Sequence, residues 1–292
     1  MNKLLNELTS LWSFSLRELR MWQTYRTNQL MWVADIFVNA FLFFLVGQLI
    51  GGNAASLLGV YGTNYVSFIL IGLAVNYVIA TNLADPFYRV TRTYWDGTMD
   101  LYLLSPMSIF TPFLGLMGRS FTDDYPRIFI VAGFGELFFG ARFDLSNWAP
   151  ALLVSLLIFI AAFGIGTISA SMFYLINLKQ GEEPIQFLIQ DLLAGLVAGA
   201  YYPVTVLPQP LQVVALFLPH TYAFDALRRL LDPGADRLTP NLLVHGWFGL
   251  SPVATDVAAL ALFSVVLMPL GYFLYVHGVE KARRNGTLTR WQ

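Results

Sequence analysis

Cysteine is absent from the 292 residues of this chain. Its absence excludes disulfides, thiolate nucleophiles and cysteine-based zinc or iron–sulfur centres. Charge is scarce as well. Only 12% of the residues are Asp, Glu, Lys or Arg while 57% are hydrophobic, against about 25% charged residues in an ordinary soluble domain. A water-soluble fold of this length could bury a large core but would lack the polar residues to cover it, so the composition calls for lipid as the surrounding solvent. The formal net charge is −1, and no Lys/Arg-rich run is present, so no nucleic acid is expected as a partner. The lysines are Lys3, Lys179 and Lys281, and none follows a glycine. A G-x-x-x-x-G-K-[ST] phosphate loop, whose lysine must reach the terminal phosphates, therefore cannot be built. His220, His245 and His277 are scattered, with no H-E-x-x-H helix, and no G-x-S-x-G elbow occurs. Neither a metal site nor a catalytic residue is expected. Met1–Arg26 carries Lys3, Arg17, Arg20 and Arg26 among polar residues and does not read as a signal peptide.

What the chain has in quantity is long apolar runs. A bilayer core needs about 20 mostly apolar residues per helix. Six segments meet that need: Gln29–Ile50, Tyr65–Ala84, Phe110–Gly140, Ala149–Asn177, Ile185–Leu207 and Thr255–His277. The expected fold is an all-α membrane protein of six transmembrane helices in one domain, 1–292. Lys and Arg near span ends favour the cytoplasm. With the N-terminus inside, Lys3, Arg17, Arg20, Arg26, Arg89, Arg92, Lys179, Lys281, Arg283, Arg284 and Arg290 fall on the cytoplasmic side. Only Arg142, Arg228, Arg229 and Arg237 fall outside, with Arg119 and Arg127 inside the third segment. The expected location is the cell (inner) membrane, multi-pass, with both termini cytoplasmic.

Three segments outside the spans have a pattern of their own. Leu4, Leu8, Leu11, Trp12, Leu19 and Trp22 recur at helical spacing, so residues 1–26 are expected to form an interfacial amphipathic helix with its tryptophans at headgroup level. The inside loop 85–109 is polar, and its middle, Tyr94–Leu104, suits a short amphipathic helix. The outside region 208–254 contains Leu211–Leu218 and Ala223–Leu231, both too short to span and broken by Pro219 and Pro233. These read as short external re-entrant or interfacial helices.

Ionisable residues inside apolar segments are expensive and mark function by default. Asp35 lies six residues into the first segment, roughly 9 Å deep, and fits a group lining a translocation route. In the third segment Arg119, Asp123 and Arg127 are spaced i, i+4, i+8, which stacks them as a plus–minus–plus ladder beside Asp124. The ladder is expected to face protein or a wet cavity, as a structural ion-pair network or as a substrate-facing stripe. The adjacent Asp123 and Asp124 also suit a membrane-embedded transferase acting on a lipid-linked substrate through magnesium. No second acidic cluster stands inside another span to complete such a site.

Several stretches, in order, resemble the type-2 ABC exporter permeases. They are Gly97-Thr98 with Leu103-Leu104-Ser105-Pro106; Tyr202-Pro203, Leu207-Pro208, Leu218-Pro219-His220-Thr221-Tyr222-Ala223 and Leu227-Arg228-Arg229; and the basic tail Glu280–Leu288 with Arg283, Arg284, Gly286 and Thr287. The resemblance covers nearly the whole chain. It implies a transmembrane permease subunit paired with a second, identical or homologous, permease subunit. A cytoplasmic P-loop ATPase on another polypeptide would bind ATP and magnesium, this chain holding no cofactor of its own. The loop after the second span would be the coupling helix seated in the ATPase, with Tyr94, Trp95, Leu101 and Tyr102 as docking anchors and Gly97, Thr98 and Ser105-Pro106 setting its ends. The cargo implied is hydrophobic or amphipathic: a drug, a lipid or a lipid-linked glycan. The third span departs from the family, where it is more uniformly apolar.

Overall fold

A computed structural model describes residues 26–50, 58–62, 64–104, 108, 110–178, 188–189, 193–246 and 249–288, with isolated positions before 26. The described residues are helical, with no strand among them. We number the helices α1 (Arg26–Ile50), α2 (Tyr65–Trp95), α3 (Met99–Leu104), α4 (Thr111–Phe138), α5 (Trp148–Leu175), α6 (Gln209–Ala215), α7 (Pro219–Leu231) and α8 (Pro252–Arg284). Four of them are long and apolar enough to cross a membrane, over Gln29–Leu49, Tyr65–Trp95, within Leu145–Leu175 and within Pro252–Arg284. The chain is thus an all-α protein of membrane-embedded character. Helix α4 has 28 residues, about 42 Å of rise, and is set apart from the four by its charges.

Contacts fix the direction of each helix. Asp35 of α1 meets Tyr77 of α2, and Gly47, twelve residues on, lies against Tyr65, twelve residues back. Helices α1 and α2 are therefore antiparallel. Asn82 meets Asp124 while Leu70 meets Gly135, so α2 and α4 are antiparallel too. Helices α5 and α8 are parallel: Leu157 pairs with Ser264, Gly164 with Gly271, and Ser171 with Gly278. These steps of seven residues on both helices are a coiled-coil register, and small side chains occupy it, as expected where lipid removes the hydrophobic drive and close backbone approach must supply the attraction. A Cβ at Gly164 would sit 2.8 Å from the backbone of Leu267 and Met268. Helix α5 is apolar on every side and buried at the centre, whereas only 11% of the α1 span and 17% of the α8 span are buried. The latter two line the lipid-facing side.

The second helix runs further than its apolar segment suggests. It does not stop at Ala84 but continues through Pro86 to Trp95. Proline has no N–H to give to the Asn82 carbonyl, and Gly166 of α5 packs against that very carbonyl and the next one. The helix tolerates Pro86 because the freed carbonyl is covered. It ends where Gly97 takes φ +66°, the left-handed conformation of a glycine stop, with Thr98 N–H bonded back to Thr93 O at 3.1 Å. Tyr94 and Trp95 thus close α2, and α3 is a separate six-residue helix, rather than one helix over Tyr94–Leu104.

Residues 58–62 between α1 and α2, the α4–α5 connection and the start of α5, together with α6, α7 and residues 232–246 and 249–251, gather at one end of the bundle as a cap. Asp144 N–H bonds Leu231 O at 2.7 Å and Asp236 N–H bonds Val60 O at 2.6 Å. The two short helices expected in 208–254 are α6 and α7, separated ahead of Pro219. The opposite end carries α3, the starts of α1 and α4, and the end of α8, where Leu288 folds back into an aromatic cluster with Tyr94, Phe173 and Tyr275. The interfacial helix expected over 1–26 lies almost wholly outside the described residues. Of the fifth segment, Ile185–Leu207, residues 188–189 and 193–207 are described, and they differ from the span expected there: after one helical turn at Gly195–Val197 the chain leaves the helix at Gly199, which takes φ +86°, and beyond Pro203 it forms only a 3-10 turn at Val204–Val206.

Overpacking the α5–α8 seam is the most direct test of this arrangement. Gly164→Val is expected to destabilise the protein by about 1–3 kcal/mol, read as a lower thermal midpoint in detergent. Gly133→Ala in α4, where a Cβ meets nothing within 4 Å, is expected to leave the midpoint unchanged or slightly raised.

Candidate functional site

Two polar clusters interrupt the apolar bundle. The first joins α1, α2 and α4 at membrane depth. Arg127 of α4 donates to Thr81 Oγ1 at 3.1 Å and lies 3.7 Å from Asp124 Oδ1. Its guanidinium lies over the Trp32 ring, 4.3 Å from the centroid. Asp124 is fully buried, and its Oδ2 accepts from Asn82 Nδ2 at 2.8 Å. One turn nearer the α3 end, Ser120 donates to Asp85 at 3.1 Å. Asp35 of α1 accepts from Asn39 Nδ2 at 3.0 Å and from the Tyr77 hydroxyl at 3.1 Å.

Of the expected ladder, Arg127 and the neighbouring Asp124 are described. Arg127 pairs with Asp124 at i−3, and both partners reach across to α2. The side chains of Arg119 and Asp123 lie outside the described residues. Asp124 is engaged by Arg127 and Asn82.

The tip at the opposite end from the cap is only partly the docking surface expected of it. Tyr94 is buried, edge-on to Phe173 with ring centroids 5.3 Å apart, so it serves the core rather than a partner. Met99 is likewise buried and faces the Tyr174 hydroxyl. The exposed apolar residues are Trp95, Leu101 and Leu104, at 40%, 69% and 84%. Gly97 and Thr98 make the turn between α2 and α3. The Tyr102 side chain and Ser105-Pro106 fall outside the described residues.

The second cluster, in the cap, was not anticipated. Helix α7 is almost entirely buried, arginines included. Arg228 donates Nε to Phe68 O at 3.1 Å and its other nitrogens to the carbonyls of Gly199 and Ala200. Its guanidinium sits 3.5 Å from the Phe68 ring centroid. Burial pushes its pKa down to about 10, which leaves it charged at neutral pH, held by carbonyl dipoles and the ring face. Arg229 donates to Asp225 at 2.8 Å and to Asn241 at 2.6 Å. Asp225 also accepts from Tyr61 and from Asn241. Burial alone would raise the Asp225 pKa, but its hydrogen bond with Asp256, the Arg229 charge and the Tyr61 hydroxyl together hold it below the ordinary range.

Asp225, His245 and Asp256 bring one ligand atom each within 4.8 Å of one another, a spacing that suits a cation. The hydrogen bonds assign the site otherwise. His245 Nδ1 accepts the N–H groups of Asn241 and Leu242, each at 3.3 Å. The ring proton is therefore on Nε2, aimed at Asp256 Oδ1 at 3.0 Å. Arg229 already fills Asp225. The cluster is a network of a guanidinium, an imidazole N–H and two carboxyls in which Asp256 Oδ2 has no hydrogen-bond partner among the described residues, and with Arg229 on Asp225 it fits locking the cap better than binding a metal. The only hint of it in the sequence was the charged run Asp225, Arg228, Arg229 within an otherwise apolar stretch, spaced to share one end of a short helix.

No family model matches the chain, and no curated protein matches it either.

Two outcomes follow for the cap. Arg229→Leu leaves Asp225 buried and uncompensated and is expected to cost about 3–5 kcal/mol. The double change Asp225→Leu/Arg229→Leu should recover part of that loss, as seen in unfolding midpoints. His220 is fully buried at the start of α7 with neither ring nitrogen hydrogen-bonded, and burial lowers its pKa to about 4. The unfolded chain then binds the extra proton first. Stability is complete above pH 6.5 and falls toward pH 4, by about 2 kcal/mol at pH 5. His220→Leu should remove that share of the acid sensitivity.

Proposed function

We propose that the chain is the membrane-spanning permease subunit of an ATP-driven exporter, working with a P-loop ATPase on a separate polypeptide and with a second permease subunit, identical or homologous. The observation that carries this reading is the continuity of α2. It holds 31 residues, about 46 Å, while the hydrocarbon of a bilayer is about 30 Å thick. Its first turns are locked into the cap through Phe68, and its middle carries Tyr77 and Asn82 of the membrane cluster. Its far end turns sharply into α3, which presents Leu101 and Leu104 beside Trp95. A rigid rod with an exposed apolar foot suits the transfer of motion from a docked motor.

Parity supports six crossings. Helices α5 and α8 run in the same direction, so in this reading the chain between them returns across the membrane ahead of Gly199, whose carbonyl already meets Arg228 in the cap. With α4 as the third crossing, both chain ends lie on the side of α3. That side carries Arg89, Arg92, Lys281, Arg283 and Arg284, whereas in the cap Arg229 and Arg237 are matched by Asp225 and Asp144. The basic end is then cytoplasmic by the positive-inside rule, in a cell (inner) membrane. The cargo in this reading is hydrophobic or amphipathic. A transferase using Asp123 and Asp124 is less favoured, because Asp124 is already committed to Arg127 and Asn82.

Affinity purification from the native membrane in mild detergent is expected to bring down a P-loop ATPase. Placing charge on the foot with Trp95→Asp and Leu101→Asp should reduce its recovery by about tenfold or more, ~1.4 kcal/mol, with an unchanged thermal midpoint of the chain. Absence of any P-loop ATPase, or its undiminished recovery with the doubly charged foot, would count against the proposal.

A further inference from the structure

We propose that Asp225 and Asp256 hold a single proton between them, and that this proton pins a pH-sensitive latch joining α7 to α8 in the cap. The inference stands apart from the exporter reading and does not depend on it.

The two carboxyls come from different helices and meet in a dry place. Asp225 lies on α7 and Asp256 near the start of α8, 1% and 0% exposed. One oxygen of each lies within 4.8 Å of the other and of a His245 ring nitrogen, and a hydrogen bond joins the two side chains. An ionised carboxyl offers acceptor oxygens and no hydrogen. Two carboxyls can therefore share a hydrogen bond only through a proton that one of them keeps.

Their other partners say which one. Asp225 Oδ1 accepts from the Tyr61 hydroxyl and from Asn241 Nδ2 at 2.8 Å, and its Oδ2 accepts from Arg229 Nε at 2.8 Å. Donors on both oxygens favour the charged form, so Asp225 is the anion. Asp256 has one donor, the His245 Nε2–H on Oδ1 at 3.0 Å, and its buried Oδ2 has none. A carboxyl so short of donors is the acid of the pair.

Charge balance agrees. The titratable and charged groups around the pair are Tyr61 from residues 58–62, Tyr222, Arg228 and Arg229 of α7, and His245 from the segment before α8. The two phenols are neutral, because burial and the nearby carboxyls push them up. His245 is neutral, because its Nδ1 accepts two amide N–H groups. Arg229 is bound to Asp225, and Arg228 is shared between Asp225 and Asp232. Two guanidiniums thus stand against Asp225, Asp232 and Asp256, and one proton restores neutrality where an uncompensated buried charge would be costly.

With the proton in place the pair draws α8 onto α7. Once it leaves, two carboxylates face each other in a medium of low dielectric, and their repulsion acts to part the helices. The unfolded chain gives up this proton in the ordinary carboxylate range, about pH 4. Above that range the folded state binds one proton more, so stability falls as pH rises until the folded cap releases it as well. This slope is opposite in sign to that of His220.

The test uses the full chain in lipid nanodiscs. At neutral pH its infrared spectrum should contain the C=O band of a neutral carboxylic acid, shifted by isotopic labelling of the aspartate carboxyls and lost in Asp256→Asn. That substitution keeps a neutral side chain of the same shape, so the neutral-pH thermal midpoint should hold, whereas Asp225→Asn strips Arg229 of its anion and should lower it. Relative to Asp256→Asn, the folding constant of the unaltered chain should fall by up to about tenfold per pH unit as pH rises through neutrality. No acid band in the unaltered chain would overturn the proposal without any variant. So would a band that survives Asp256→Asn, which places the proton elsewhere, as on Asp232, or pH profiles that run parallel. Failure of Asp256→Asn to fold, or a midpoint loss equal to that of Asp225→Asn, would show that Asp256 is needed as an anion and would also overturn it. A midpoint raised by zinc and restored by a chelator would replace the proton with a metal ion and count equally against it.

Discussion

A charge that cannot reach water must find its match within a few ångströms, and this molecule is organised around that requirement. With 12% of its residues charged, each buried ionisable group is conspicuous, and the buried arginines among the described residues are answered locally. Arg228 is answered by three backbone carbonyls and a ring face, Arg229 by Asp225, Arg127 by Asp124 and an indole. Such groups contribute little net stability compared with apolar packing, but removing one partner is costly. They therefore specify which surfaces meet. In a bundle whose helices are otherwise interchangeable apolar rods, that specification decides the register of α1, α2 and α4 in the membrane and of α7 against α2 in the cap.

Helix α2 is where these constraints converge. It contributes Phe68 to the cap, Tyr77, Thr81 and Asn82 to the membrane cluster, and Tyr94 to the aromatic cluster at the tip. A displacement of the tip is felt at all three levels, because a helix this long transmits shear and its proline is covered by α5 rather than left as a free hinge. The α5–α8 pair is closed by glycine and serine in parallel register.

Much of the architecture was legible in residue order alone. Apolar run length locates α1, α2, α5 and α8, because hydrocarbon thickness sets the length of any crossing. Pro219 and the shortness of the neighbouring runs locate α6 and α7. The end of α2 was misjudged because Pro86 and Asp85 read as a loop, and only the approach of α5 shows how a proline carbonyl is covered. On α4 the sequence marks Asp124 and Arg127 as charges needing protein contact, but their partners across the bundle, Asn82, Thr81 and Trp32, lie on other helices and leave no periodic trace. The cap network was invisible for the same reason. Tyr61, Asp225, Asn241, His245 and Asp256 come from four separate stretches, and His245 looked isolated until the fold placed it 3.0 Å from Asp256.

The central claim is a lipid-embedded bundle with its cap and its apolar foot on opposite faces and an even number of crossings. The absence of native cysteine makes this directly measurable, since a single introduced thiol reports without background. In sealed, right-side-out vesicles, a membrane-impermeant maleimide should label Leu145→Cys and Leu238→Cys, both exposed in the cap, and should reach Leu101→Cys and Arg283→Cys only after the vesicles are opened. Labelling of Leu145→Cys and Leu238→Cys from opposite faces, or of Leu101→Cys from the same face as Leu238→Cys, would contradict the account.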